Sequence, residues 1–231
     1  MGLQGAVLMI GCLFWEDESN APEPALGRAK RLWRERELDM ASAKKWPAPI
    51  RYGMRSMRRW QTYTMVFSTS APVGTAQLVP YQQPVSEPDE LMRQARRLGI
   101  VEGYDPRRGL WTDWGLVSVC WSPALRSISN PFRQAWNEAF ADFPGGAAYR
   151  LGEEESCVTD LGELAVDIRF PEGVDYILVT PNIPNVDRYP EPSDILGAID
   201  ESPKQYDTYV RQNIQHGIRA ADDDAILSKL Y

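Results

Sequence analysis

An uncharged run near the start of the chain limits the folds that this sequence can adopt. The six residues from Ala6 to Gly11 carry neither a charge nor a hydroxyl group. A strand with one face in water alternates polar and apolar residues, so this run predicts a strand that is buried on both faces. Gly11 then allows the backbone to turn or to approach a ligand closely. The run is either a plain core strand that ends in a glycine turn or one wall of a small-molecule site.

The size and the charge of the chain exclude several classes of protein. A chain of 231 residues, of which 43% are hydrophobic, can bury a large core. We expect a single domain over residues 1–231, with a weak boundary near residue 145 as the alternative. A net charge of −7 argues against generic nucleic-acid binding through bulk charge. No apolar run approaches the ~20 residues that a membrane helix needs, so we expect no membrane partner.

The cysteines and the histidine restrict the chemistry further. Cys12, Cys120 and Cys157 are widely spaced and form no CxxC pair. An odd number of separated cysteines is typical of free thiols in a reducing compartment, so we expect a cytoplasmic protein. His216 is the one histidine and lies far from all three cysteines in sequence. We therefore expect no metal site.

Hydrophobic periodicity predicts both helices and strands along the chain. A helix over Ala25–Leu38 would turn Leu26 and Trp33 to the core and Lys30 to water. The other predicted elements are a hairpin of strands Gln61–Ser68 and Gly74–Pro80, a helix from Ser86 to Gly99, a strand Trp114–Trp121, a helix Phe132–Phe143, a strand pair Leu164–Phe170 and Tyr176–Val179, and helices Asp194–Ile199, Lys204–Ile218 and Ala220–Tyr231.

Residues 50–59 form a basic segment, which is unusual in an acidic protein. It contains Arg51, Arg55, Arg58 and Arg59. Guanidinium forks suit carboxylate and phosphate oxygens, so the segment predicts a mouth that receives a small anionic molecule. The alternative is a solvated loop that pairs with acidic surface elsewhere.

Glu102 is the candidate acid/base of the chain. It follows the apolar pair Ile100-Val101 and precedes Gly103-Tyr104. A carboxylate in such surroundings can exchange a proton with a substrate as a general acid/base. Because most glutamates lie at the surface, a plain surface residue is the simpler interpretation.

The order of these features resembles that of the gamma-glutamylcyclotransferase-like family. The likeness covers residues 6–121. It comprises the buried first strand ending in Gly11–Trp15, the basic aromatic segment, a strand pair ending at Gly74–Ala76, the Val101–Tyr104 segment and a strand near Trp114. The resemblance implies an α+β fold with a small mixed β-barrel, or a strongly twisted sheet, and flanking helices.

The resemblance also implies a reaction and its residues. In the family, backbone N–H groups of a Tyr-Gly-Ser loop hold the substrate's glutamyl carboxylate, and a later Glu-Gly segment supplies the acid/base. Gly11, Cys12 and Leu13 would form that loop here and Glu102 would be the acid/base, although Ile10 replaces the family's Tyr and Cys12 its Ser. The reaction would be intramolecular acyl transfer on a small γ-glutamyl substrate, releasing 5-oxoproline without a cofactor.

Three hypotheses therefore remain open. In the cyclotransferase hypothesis, Arg51 or Arg55 would meet the carboxylates of the substrate. In the second, the protein is not catalytic and uses Arg51–Arg59 to hold an anionic ligand or a partner, and a homodimer or a protein partner is then conceivable. In the third, Cys12 is the nucleophile of a thiol amidohydrolase and His216 its base. The positions of Glu102 and His216 relative to Gly11 and Cys12 distinguish these hypotheses.

Overall fold

Six strands form one curled sheet that organises the protein. The computed structural model describes residues 2–128, 130–203 and 205–230. The strands are β1 (Gly5–Met9), β2 (Lys44–Ser56), β3 (Thr62–Phe67), β4 (Val73–Pro80), β5 (Ser118–Trp121) and β6 (Tyr176–Val179). They lie in the order β3-β2-β4-β1-β6-β5 and curl into a half-barrel.

Seven helices flank this sheet within the described residues. They are α1 (Pro24–Glu37), α2 (Pro88–Glu102), α3 (Pro123–Arg126), α4 (Pro131–Ala139), α5 (Pro192–Glu201), α6 (Thr208–Gln215) and α7 (Asp223–Leu230). The predicted α+β fold, with a curled mixed sheet and flanking helices, is confirmed. Among the described residues, none of the helices has the length and apolar character needed to span a membrane.

Strand β1 lies inside the sheet, as its uncharged sequence predicted. It pairs antiparallel with β4 and parallel with β6. All of its residues are buried. Because neighbours cover both edges and both faces, no position in the strand needs a polar side chain.

The predicted hairpin of residues 61–68 and 74–80 is wrong, because β2 pairs with both of these strands. Residues 44–49 of β2 pair with β4, and residues 50–56 pair with β3. The register shifts between Tyr52 and Met54, and such a bulge bends a strand. The arginines of the basic segment therefore lie on a bent strand and the turn after it, not in a solvated loop.

Helix α2 continues beyond its predicted end at Gly99. That glycine lies inside the helix, where a Cβ would be only 3.0 Å from the ring of Tyr104. The helix ends instead at Gly103, whose φ of +95° is one that glycine adopts readily. Glu102 is thus the last residue of a helix rather than part of a loop.

Two further strand predictions differ from the structure. Of residues 164–170, only Leu164 forms a bridge, to Val158, instead of the predicted strand, and β6 pairs with β1 and β5. The strand predicted over residues 114–121 is shorter, because a regular ladder begins only at Ser118. Lys204 and Tyr231, which bounded two predicted helices, lie outside the described residues.

Candidate functional site

A cavity of about 340 Å³ opens where the ends of several elements meet. Its walls come from the turn after β1, the start of α1, the end of β2, the end of α2 and the segment that follows β6. Gly11, Cys12, Leu13, Arg55 and Glu102 all line it. Five of the six predicted site residues therefore share one cavity.

The turn that follows β1 presents its backbone to this cavity. The N–H groups of Phe14 and Trp15 donate to the carbonyl oxygens of Gly11 and Cys12 at 3.1 and 3.2 Å. The N–H groups of Gly11, Cys12 and Leu13 donate to no acceptor within the described part of the chain. These three N–H groups are therefore unpaired within the described residues, and the three residues line the cavity.

Close packing beneath the turn explains its glycine. A Cβ at Gly11 would lie 2.5 Å from the hydroxyl oxygen of Tyr209. That hydroxyl accepts a hydrogen bond from the N–H of Met65 at 3.2 Å, so the ring cannot easily move. Arg34 fixes the other side, because its guanidinium donates to the carbonyl oxygens of Leu13 and Glu16 at 2.7 and 2.9 Å.

Glu102 is held at the cavity by a neighbouring hydroxyl. Thr180, directly after β6, donates its hydroxyl hydrogen to Glu102 Oε1 at 2.9 Å. The other carboxylate oxygen, Oε2, lies 3.8 Å from Lys30 Nζ. The side chain of Glu102 is 16% exposed, so it is anchored but still accessible from the cavity.

Three buried charges form the floor of the site. Glu16 accepts a hydrogen bond from Lys30 Nζ at 2.7 Å and another from Arg59 Nη2 at 2.6 Å. Burial alone would raise the pKa of Glu16, but the two cations hold that pKa below its usual value. Burial would likewise lower the pKa of Lys30, but the carboxylates of Glu102 and Glu16 beside it keep that pKa above its usual value. All three groups are therefore charged at neutral pH.

Comparison of the chain with protein-family models, with curated proteins and with solved structures finds no match. The function is therefore argued from the geometry of the cavity.

The thiol hypothesis requires His216 to act as base on Cys12, and His216 is not among the described residues that line the cavity. Lys30 Nζ donates to Cys12 Sγ at 3.2 Å, and burial raises the pKa of the thiol despite the nearby charges of Arg59 and Lys30. The ring of His216 packs edge-on against Phe14, with 5.6 Å between the ring centroids. Among the described residues, no hydrogen bond joins His216 to Cys12.

Arg51 and Arg55, the two predicted carboxylate receptors, lie in different places. The guanidinium of Arg51 stacks over the ring of Tyr189 at 3.9 Å, and Arg51 is not among the described residues that line the cavity. Arg55 does line it, and its guanidinium lies 4.8 Å from the ring of Tyr63. The structure brings only Arg55 of this pair to the site.

Sequence reasoning missed two buried members of the site, Lys30 and Glu16. Lys30 was predicted to face water but is only 2% exposed. Its spacing already carried the signal, because Lys30 follows Leu26 by four positions and precedes Trp33 by three, on the apolar face of α1. Glu16 carried no such signal, because its partner Arg59 is distant in sequence. Arg58 was noted only as one of a cluster.

Proposed function

We propose that this protein is an enzyme that cyclises a small γ-glutamyl substrate and releases 5-oxoproline. One observation supports the proposal above all: Glu102 lines the same cavity as residues 11–13, whose backbone N–H groups have no acceptor among the described residues. The free donors suit the α-carboxylate of a glutamyl group, and an accessible carboxylate suits the proton transfers.

In the proposed reaction the α-amine of the substrate attacks its own γ-carbonyl carbon. A carbon–nitrogen bond forms within the glutamyl group, the bond to the leaving nitrogen breaks, and no oxidant or reductant takes part. Glu102 accepts a proton from the attacking amine and returns it to the leaving nitrogen. The turn at residues 11–13 holds the glutamyl group so that amine and carbonyl meet.

The Glu102→Gln variant tests the role of the carboxylate. Formation of 5-oxoproline from γ-glutamyl-alanine and γ-glutamyl-ethylamine is measured with purified protein. The variant should lose about a hundredfold or more in kcat, because the amide cannot exchange the proton. Glu153→Gln, at an exposed loop position, is the matched control and should retain activity.

Two results would contradict the proposal. One is that the unaltered protein forms no 5-oxoproline from either substrate, and the other is that Glu102→Gln keeps activity close to that of the control. Thermal unfolding of both variants establishes that each is folded.

A second candidate function is non-catalytic binding of a small anionic molecule. The guanidinium groups of Arg55 and Arg58 at the cavity support it, as does the replacement of the family's loop tyrosine by Ile10. Binding of the same compounds without formation of 5-oxoproline is the result that would favour it. For either function we propose a cytoplasmic setting, in which the free thiols of Cys12, Cys120 and Cys157 stay reduced.

A further inference from the structure

An exposed ion pair lies at the rim of the cavity. Arg58 Nε is 3.0 Å from Glu23 Oε1, and both residues line the cavity. Arg58 belongs to the single turn that follows β2, and Glu23 directly precedes α1. Their side chains are 42% and 55% exposed, so the pair is open to solvent. Exposed pairs of this kind contribute little to stability.

The guanidinium of Arg58 rests against the backbone beside Glu102. A Cβ at Gly103 would lie 2.6 Å from Arg58 Nη1 and 3.0 Å from Nη2. A side chain at this position would have to displace the guanidinium from where it lies. Within the described residues, neither Nη group donates a hydrogen bond to a protein acceptor. Two parallel donors are thus available next to the proposed acid/base.

The other cations of the site are less able to receive a ligand. Lys30 and Arg59 are buried and both bind Glu16. Arg55 lies over the ring of Tyr63. Arg58 therefore differs from Lys30 and Arg59 in that its charged partner is exposed and can be exchanged for another carboxylate at small cost.

We propose that Arg58 receives a carboxylate of the bound ligand, and that Glu23 occupies this guanidinium while the cavity is empty. A guanidinium binds a carboxylate through two parallel hydrogen bonds, which a single ion pair through Nε does not provide. The exchange keeps one anion beside Arg58 in both states, and the released Glu23 returns to water. The identity of the ligand as a γ-glutamyl compound rests on the proposed function, but the exchange itself does not.

Binding measurements on Arg58→Met test the proposal without relying on turnover. Isothermal titration with γ-glutamyl-alanine and γ-glutamyl-ethylamine is carried out in the Glu102→Gln background, with and without Arg58→Met. We expect an affinity about tenfold lower in the Arg58→Met variant, in line with the loss of a charge-assisted hydrogen bond. A loss for γ-glutamyl-alanine alone assigns the leaving-group carboxylate to Arg58, whereas an equal loss for both assigns the glutamyl α-carboxylate.

Arg51→Met in the same background is the matched control. It removes the same charge from the same basic segment, but its guanidinium stacks over Tyr189 and it is not among the described residues that line the cavity, so its effect on affinity should stay below about twofold if Arg58 is the receptor. Equal losses of affinity in the two variants would show that Arg58 contributes only positive charge and no specific contact. That result would overturn the proposal.

Glu23→Gln tests the other half of the exchange. Removing the competing carboxylate should tighten binding by about two- to fivefold, because the ligand no longer displaces an anion. Unchanged or weaker binding would show that Glu23 does not occupy the receptor.

The outcomes separate this proposal from the proposed function. If the probes bind, lose affinity in Arg58→Met and yet are never cyclised, the exchange stands and the cyclotransferase proposal fails. If the probes are cyclised but the Arg58→Met variant binds them as tightly as its parent, the cyclotransferase proposal stands and the exchange fails. If neither probe binds, both proposals fall.

Discussion

Glu16 is the anion on which two buried cations depend. It is 2% exposed and hydrogen-bonds both Lys30 and Arg59. Lys30 in turn lies within reach of Glu102 and Cys12, and Arg59 closes the end of the basic segment. A buried charge that loses its partner is costly, because the interior solvates it poorly. The position of the site therefore depends on a residue that need not touch the ligand.

Replacing Glu16 should destabilise the protein strongly. Glu16→Gln leaves two cations facing a neutral amide, and we expect a loss of about 3–5 kcal/mol in the free energy of unfolding. Urea unfolding followed by tryptophan fluorescence measures it. Glu18→Gln, which removes a carboxylate from an exposed ion pair with Arg31, is the control and should change stability little. Similar losses in the two variants would contradict this account of the buried charges.

At the scale of single residues, local signals in the sequence indicated residues that share the cavity. The uncharged run before Gly11 and the apolar setting of Glu102 both indicated positions that the structure brings to the cavity. Glu16 could not be recognised in this way. It acts through partners far away in sequence, and nothing in its neighbouring residues distinguishes it from an ordinary polar residue.

At the scale of elements, the glycine that ends α2 also determines where the guanidinium of Arg58 can lie. Gly103 has a left-handed φ, and the guanidinium of Arg58 lies where its Cβ would be. The same glycine therefore ends the helix directly after Glu102 and leaves room for Arg58. Any side chain at this position must strain the backbone and displace the guanidinium.

Gly103→Ala should separate these two effects when it is compared with Gly152→Ala. Both glycines have positive φ, but a Cβ at Gly152 would meet nothing within 4 Å. Each variant should lose about 1 kcal/mol of stability from backbone strain. Only Gly103→Ala should also weaken binding of γ-glutamyl-alanine, as measured by titration. Unchanged binding in Gly103→Ala would contradict the placement of Arg58.

The strands show which elements of this fold can be predicted from the sequence alone. β1 and β6 were predicted because burial on both faces leaves an uninterrupted apolar sequence. β2 was missed because two prolines and two arginines interrupt its apolar sequence, and because it pairs with one neighbour along its first half and another along its second. The hairpin prediction failed for the same reason, since β2 pairs with both of its supposed strands.

At the scale of the whole molecule, a buried carboxylate joins the last helix to the sheet. Asp223, at the start of α7, accepts hydrogen bonds from the hydroxyl of Tyr52 on β2 at 2.7 Å and from the N–H of Ala220 at 2.9 Å. Burial raises the pKa of Asp223 to about 6 in the folded protein. The unfolded chain has the ordinary, lower value, so the folded state holds the extra proton.

This difference in pKa predicts that Asp223 makes the folded protein more stable at acidic pH than at neutral pH. Stability from this group is lost as pH rises from about 4, near the ordinary pKa, to about 6, with a slope of at most about 1.4 kcal/mol per pH unit. The Tm of the unaltered protein minus that of Asp223→Asn should therefore increase between pH 7 and about pH 4.5. A difference that stays constant over this range would contradict the raised pKa.

The parallel pairing of β1 with β6 has a consequence for synthesis of the chain. β4 can cover one edge of β1 early, but the partner of its other edge is made about 170 residues after β1 itself. Until then the ribosome carries a nascent chain with an apolar, unpaired strand edge, which invites association with other chains. Glu102 also lacks its anchor during this interval, since Thr180 follows β6 directly. A nascent chain that already contains Glu102 and the turn after β1 is therefore still without the support that positions them, and it gains this only when β6 and Thr180 emerge.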